Sequence, residues 1–505
     1  MKKSLVLGAA ALATLFLAAP QDSKASEVKI GGYYMFRMQD TAINPFQNPA
    51  GIDDQRFWAQ RLWLNMDFIA DKTTHAHLVT RVLDSNIVQG AETQLGSNFS
   101  ASGLSSVNTT TASSNPWSIR KAWLETEAAG VGVKVGNMPL SLNDGILVNN
   151  DDTGFGAVML SKTFGDVTVA LADVRVAEGN IGAAYNSTAT GASAAIAAPA
   201  LGGTATNGSN DDNVDLYVLA LFGKVSQVNY GVTGAYLKTG DSSGVFDAWK
   251  PGAFWSGTSD AATIGTVGHS ISDGWLALTL NSVLGGVDVT GTGIWETGMS
   301  GVNPATLVGT TASTITGKKL DGSGGLFALR LKGNLPGVAQ GATWNAYGSY
   351  ASADFTNITS NYPKWSQTWD MEGAANRDLL MTWAAAAGAS PTENMRTIGV
   401  GLTIPVQNWT INPMLDYAHV NDDSIAGGGK TDFRTTSAWG GGVQLLTKLN
   451  PATTLSITGL IVDPNDTGNG SRYGAYQTAT AAGPGPNVTP TDTMHMVEAS
   501  LKMVF

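Results

Sequence analysis

Residues 494–505 read MHMVEASLKMVF, and apolar and polar side chains alternate along them. The apolar side chains stand at alternate positions, and we call such a set of alternate residues one parity of the strand. They are Val497, Ala499, Leu501, Met503 and Phe505. The opposite parity carries Glu498, Ser500 and Lys502. Successive side chains of a β-strand point to opposite faces, so the stretch predicts a strand with one apolar and one polar face. Its length is close to the roughly 9 to 11 residues with which a tilted strand crosses a bilayer.

The same two-residue period recurs along the chain, as in EVKIGGYYMFRMQ at 27–39 and QRLWLNMDFIA at 60–70. The connections between such runs alternate in length: 70–72 is short, whereas 177–212 and 354–394 are long. Transmembrane barrels have this form, because short periplasmic turns and long extracellular loops join their strands. We therefore predict an all-β fold, a transmembrane antiparallel β-barrel of 18 strands, with 16 strands as the alternative.

A soluble β-sandwich also alternates apolar and polar side chains, so a secreted all-β structural protein is an alternative. Several charged residues lie opposite the apolar faces, namely Arg37, Arg61, Lys134, Lys332 and Lys502. A wide barrel would point these residues into a wet lumen while its apolar face meets lipid. The large number of strands and the alternating connections favour the barrel.

The N-terminal residues resemble an export signal. Lys2 and Lys3 precede an apolar run at 4–19, and small residues surround Ala25. We expect residues 1–25 to be a cleaved signal peptide and residues 26–505 to form one barrel domain in the outer membrane. The chain has no cysteine, which excludes disulfides and thiol catalysis. Its formal charge of −11 argues against binding to nucleic acid.

Two adjoining runs, RKAWLE at 120–125 and GVGVKVG at 130–136, resemble the fourth and fifth strands of Gram-negative general porins. The segment from residue 27 to residue 72 looks most like the homotrimeric outer-membrane porins of sulfate-reducing bacteria. The resemblance implies a homotrimer of water-filled channels for small hydrophilic solutes and ions. It also implies outer-membrane lipid and lipopolysaccharide as surroundings, and a barrel-assembly machinery that reads Phe505.

The resemblance further implies a constriction loop after the fifth strand, which here is MPLSLNDGILVNNDDTG at 138–154. Its acids would face a basic ladder on the opposite wall, and such charged rings set ion selectivity. The acids are Asp144, Asp151 and Asp152. Strand parity places Arg37, Arg61 and Arg81 in the ladder. Family correspondence adds Arg120 and puts Trp123 outside, whereas alternation counted from Lys121 would invert that strand.

Eight tryptophans fall at or near predicted strand ends, where aromatic side chains would meet the membrane interfaces. They are Trp58, Trp117, Trp123, Trp275, Trp295, Trp344, Trp409 and Trp439.

The sequence contains no HExxH motif and no phosphate-binding P-loop, so we expect neither an enzyme nor a cofactor or metal. His75 and His77 share one strand face and are interpreted as lumen or turn residues. The acidic runs at 149–152 and 421–423 are interpreted as solvated loop charge, because they lack the spacing of an EF-hand calcium loop.

The sequence thus predicts a porin for passive diffusion of small hydrophilic solutes and ions. A substrate-selective channel of the same architecture is the first alternative. An outer-membrane enzyme or adhesin with a plugged barrel is a further one.

Overall fold

The computed structural model describes residues 27–42, 55–82, 93–94, 118–149, 154–177, 214–239, 272–297, 324–352, 355, 395–421, 437–465 and 494–505. In these ranges no helix is long and apolar enough to cross a membrane. The predicted signal peptide at 1–25 and the predicted loop acids Asp151 and Asp152 lie outside the described residues.

These residues form 21 β-strands. They are β1 (Glu27–Ala42), β2 (Gln55–Ile69), β3 (His75–Val82), β4 (Thr93–Gln94), β5 (Ser118–Ala128), β6 (Val131–Met138), β7 (Ser141–Leu142), β8 (Val148–Asn149), β9 (Phe155–Phe164), β10 (Val167–Ala177), β11 (Val214–Val225), β12 (Val228–Thr239), β13 (Ser272–Leu284), β14 (Val287–Glu296), β15 (Gly325–Asn334), β16 (Thr343–Ala351), β17 (Met395–Val406), β18 (Trp409–Val420), β19 (Ser437–Asn450), β20 (Thr453–Asn465) and β21 (Met494–Val504).

Three of these strands have only two residues each: β4 pairs with β2, and β7 pairs with β8. The other 18 strands form one closed antiparallel ring, because each pairs with both of its neighbours and β21 pairs with β1. The seam places Tyr34 opposite Met503, and Gly32 and Phe505 exchange two backbone hydrogen bonds of 3.0 and 3.1 Å. The structure confirms the prediction of 18 strands, and the alternative of 16 is wrong.

Short connections join the strands at one end of the barrel, which we call the short-turn end. They are 70–74, 129–130, 165–166, 226–227, 285–286, 335–342, 407–408 and 451–452. Gly285 and Gly286 have φ angles of +59° and +83°. A two-residue hairpin turn of this kind requires positive φ at both positions, which glycine adopts without strain. The remaining connections, such as 83–117 and 466–493, are long and join strand ends at the opposite end of the barrel, which we call the long-loop end.

The two faces of the barrel wall differ as the alternation predicts. On β17, Met395 and Thr397 point inward and are buried, whereas Ile398 and Val400 are 59% and 50% exposed. The outward parity of β21 is likewise exposed at Val497. Because the outward face is apolar around the ring, it suits the hydrocarbon core of a bilayer.

Only some of the tryptophans that were predicted to lie at the membrane interfaces are on the outward face. Those confirmed there are Trp295, Trp344, Trp409 and Trp439. The prediction is wrong for Trp275, which points inward and is 3% exposed. It is also wrong for Trp123, whose ring stacks on His77 inside the barrel with centroids 4.5 Å apart. The side chains of Trp58 and Trp117 lie outside the described part of the chain.

Candidate pore constriction

The connection after β6, the fifth strand of the ring, folds into the barrel. Leu142, Ile146 and Leu147 are almost wholly buried. They belong to one apolar cluster with inward-facing wall residues of β10 to β16, among them Val174, Leu216, Leu237, Trp275 and Leu326. Removing this apolar surface from water fixes the segment against the wall. Residues 138–149 therefore lie inside the barrel, as the predicted constriction loop requires.

The tip of this loop has an unusual backbone. Asn143, Asp144 and Gly145 have φ angles of +54°, +60° and +79°. Left-handed conformations cost the least for glycine, and among other residues asparagine and aspartate adopt them most readily. Two backbone hydrogen bonds close the turn, from Gly145 to Leu142 and from Ile146 to Asn143. The sequence thus supplies residue types that tolerate a tight tip.

Two polar contacts join the tip to the wall. Asn143 Nδ2 donates to Thr279 Oγ1 on β13 at 3.3 Å, and Arg330 on β15 forms an ion pair with Asp144. Burial raises the pKa of the Asp144 carboxyl above its ordinary value, while the charge of Arg330 acts in the opposite direction. Arg330 was not among the predicted site residues, although it shares strand parity with Lys332, which is predicted to face the lumen.

The four predicted ladder arginines lie on four consecutive strands of the ring. Arg37, Arg61, Arg81 and Arg120 are 3%, 1%, 1% and 4% exposed. Arg61 is opposite Met35 on β1, two residues from Arg37, and Arg81 is opposite Trp63 on β2, two residues from Arg61. The register therefore makes a diagonal row across β1, β2 and β3, which Arg120 extends onto β5.

A bulge in β5 removes the conflict between Arg120 and Lys121. Val79 on β3 is opposite Lys121, but the next residue, Thr80, is opposite Ile119, so Arg120 is an extra residue. Such bulges change the alternation of side chains locally. Lys121 points inward, with its Nζ 5.8 Å from the centre of the Trp63 ring, and Arg120 is also buried. The family correspondence that placed Trp123 outside is wrong.

Aromatic rings and a carboxylate hold the cations in this part of the wall. Arg81 Cζ lies 4.5 Å from the centre of the Trp63 ring, which stacks on Tyr33 with centroids 5.9 Å apart. Arg37 forms an ion pair of 3.2 Å with Glu498 across the seam. Cation–π and ionic contacts of this kind restrict flexible basic side chains to one orientation.

The loop tip and the arginine row lie on opposite sides of the ring. Counted in strand pairings, β13 is nine from β1, and β15 is nine from β3, in a ring of 18. Since the tip contacts β13 and β15, Asp144 is across the barrel from the arginines. Asp144 is paired to its own wall through Arg330. The opposition of loop acids and basic ladder as a constriction stays a prediction.

A second polar cluster lies on the inner wall nearer the short-turn end. His77 Nδ1 is 2.7 Å from Asp67 Oδ1, and Lys134 Nζ is 2.7 Å from Glu125 Oε1. Trp123 Nε1 donates to the same Glu125 oxygen at 2.8 Å. Among the described residues, no group of three or more His, Cys, Asp or Glu side chains could hold a metal ion. This cluster places His77 in the lumen, as predicted.

A tyrosine on the inner face of the barrel reaches across a neighbouring strand to a carboxylate on the strand after it. Tyr347 on β16 is opposite Gly399 on β17, which is in turn opposite Asp416 on β18. The Tyr347 hydroxyl donates to the Asp416 carboxylate across the glycine, and both side chains are buried. A Cβ at Gly399 would collide with the Tyr347 ring and the carboxylate, so only glycine leaves room for this bond.

No protein-family model matches this chain, and no curated protein matches it. Solved structures are similar to it. One is OccK9 (OpdG) of Pseudomonas aeruginosa, with a TM-score of 0.51 and 10% identity over 95% of this chain and 99% of that chain. Another is a BenF-like porin from Pseudomonas fluorescens Pf-5, with a TM-score of 0.51 and 8% identity over 95% of this chain and 98% of that chain. At such low identity the likeness concerns the fold alone, and that fold is the closed barrel of a porin.

Proposed function

We propose that this protein is a Gram-negative outer-membrane porin through which small hydrophilic solutes and ions diffuse passively. One observation carries the proposal: residues 138–149 fold into a closed 18-stranded barrel and face a row of arginines across it. The apolar outward wall supports a place in lipid, and charged groups at a constriction govern which ions pass.

Planar lipid bilayers test this function directly. The purified, folded protein is expected to insert in discrete steps of conductance that grow with salt concentration. Folding is checked separately, since a closed barrel resists unheated detergent and migrates faster on a gel than the heated chain. Folded protein that inserts into lipid but does not conduct would overturn the proposal.

We assign the constriction to Arg37, Arg61, Arg81 and Arg120 on one side and to the loop acids Asp144, Asp151 and Asp152 on the other. Since arginine keeps its charge at all relevant pH values, we expect a preference for anions despite the acidic chain. The reversal potential across a potassium chloride gradient measures this preference.

The matched control for an arginine of the row is Arg396, which lies on the outward parity of β17 and is exposed. Arg61→Gln is expected to move the reversal potential toward cation preference, whereas Arg396→Gln leaves it unchanged. Equal reversal potentials in the two variants would show that the arginine row does not form part of the constriction.

The concentration of positive charge in the row favours a second candidate, a substrate-selective channel. The four arginines lie on four consecutive strands, and each is at most 4% exposed, so they act on a solute in the lumen through their electrostatic field and not by direct contact. A field of one sign in a narrow passage concentrates solutes of the opposite charge. A selective channel would show conductance block that saturates with a small carboxylate and is absent with a neutral sugar of similar size.

The remaining features belong to the same proposal. Residues 1–25 act as a cleaved signal peptide, and residues 26–505 assemble as homotrimers among outer-membrane lipid and lipopolysaccharide, like the porins of sulfate-reducing bacteria. The barrel-assembly machinery reads Phe505, and we assign neither catalysis nor a cofactor. N-terminal sequencing of the exported protein tests cleavage, and cross-linking in membranes tests the trimer. Deleting Phe505 is expected to lower the yield of assembled barrels more than their conductance.

A further inference from the structure

Asp144 is charged, whereas several of the loop residues near it in sequence are apolar. The loop residues around it, Leu142, Ile146 and Leu147, are buried against the wall. The side chain of Asp144 itself is 34% exposed and that of Arg330 is 39% exposed. A carboxylate that is partly withdrawn from water loses hydration, and this loss opposes the packing of the loop unless another group compensates it.

Arg330 is the compensating group. It lies on the inward face of β15, and its guanidinium forms an ion pair with the Asp144 carboxylate although the two residues are 186 apart in the chain. The backbone at Asn143 and Asp144 is left-handed, and the tip that these residues form contacts this wall. Asn143 adds a neutral hydrogen bond to Thr279 on β13. The tip is thus held by one ionic and one neutral contact, on two strands.

We infer that Arg330 is a positioning residue for the constriction loop, holding its tip against β15 by neutralising Asp144 and so setting the width of the pore. In this role Asp144 is an anchor and contributes little to the field across the lumen. The inference rests on the proposed porin function and names the wall residue that regulates the passage of solutes.

The pair gives an asymmetric expectation for single and double variants. Removing Arg330 leaves the partly buried Asp144 carboxylate without its compensating charge, whereas removing both charges can be close to neutral. Arg330→Gln should therefore free the loop tip, raise single-channel conductance and increase open-channel noise. Asp144→Asn should keep the open-channel noise low, because a neutral amide needs no compensating charge, and the double variant should return to the noise of Asp144→Asn.

Lys332→Gln is the matched control, because Lys332 shares the strand and the inward face of Arg330 but is exposed two residues away. It removes the same charge from the wall without touching the loop. We expect its conductance noise to equal that of the wild type. If Arg330→Gln behaves like Lys332→Gln, or if the double variant keeps the full defect of Arg330→Gln, the inference is overturned.

A readout that does not depend on conduction separates this inference from the proposed function. The chain has no cysteine, so Ser141→Cys provides a single site for a spin label on the exposed side of the loop. Arg330→Gln should increase the mobility of that label, and adding Asp144→Asn should restore it. Absence of wild-type conductance would overturn the porin function only, whereas unchanged label mobility in folded Arg330→Gln would overturn the role of Arg330.

Discussion

Replacing Glu498 with glutamine should weaken the seam at which β21 meets β1. Glu498 pairs with Arg37 at 3.2 Å, and the two side chains are only 6% and 3% exposed. Salt screens such a shielded pair weakly. Removing one member of a buried pair costs about 3–5 kcal/mol, because the other charge stays buried. Since glutamine keeps the shape and one accepting oxygen, we expect a loss near the lower end, about 3 kcal/mol.

The free energy of unfolding in lipid vesicles, followed by tryptophan fluorescence during urea titration, measures this loss. Glu27→Gln is the matched control, since Glu27 also pairs with a cation of β1, Lys29, at 3.8 Å. Those side chains are 64% and 59% exposed. Exposed pairs contribute less than about 1 kcal/mol. Equal changes in the two variants would refute the argument that burial at the seam makes the Arg37 pair important.

Three further outcomes are expected. Gly399→Ala should cost about 1–3 kcal/mol of unfolding free energy by crowding the tyrosine–aspartate bond that crosses it, whereas Gly459→Ala, whose Cβ meets nothing within 4 Å, should be close to neutral. Backbone hydrogen bonds, chiefly from Thr73, lower the pKa of Asp71. The ionised Asp71 should therefore stabilise the fold above the ordinary carboxyl pKa, and this contribution should be lost as the pH falls through the lowered pKa. The thermal unfolding temperature of Asp71→Ala should match that of the wild type only in acid. In Arg330→Gln, lowering the pH should reduce the open-channel noise to the level of the wild type. Burial raises the pKa of Asp144, and protonation of its carboxyl then favours the packed loop. Noise that does not depend on pH would contradict this.

The sequence was sufficient for the fold because alternation with a period of two specifies both the strands and their faces. Arg37 and Arg61 could be assigned to the inner wall from parity alone. Their mutual placement needed only the register of neighbouring strands. The seam could be predicted as well, since a sheet in lipid has to close on itself.

The errors arose where side chains depart from that alternation or where contacts join distant parts of the chain. The bulge at Arg120 shifts parity by one residue, and no feature of composition marks it. Trp123 was assigned to the membrane interface because tryptophan is common there, yet its neighbour across the strand pair is His77 on the inner wall. Arg330 was missed because its partner is a loop residue 186 positions away.

The pairing of Arg37 with Glu498 also bears on how the barrel forms. Leaving out the two-residue strands, every other pairing in the ring joins strands that follow one another along the chain, but this one joins residues 461 apart. For a flexible chain, each doubling of a closed loop costs about 0.6 kcal/mol, and a separation of 461 is about five doublings beyond a loop of about 15 residues. Closing the ring therefore carries an extra entropic cost of about 3 kcal/mol. We expect closure of the seam to be the slow, final step of folding, at which an incorrect register would leave two charges buried apart.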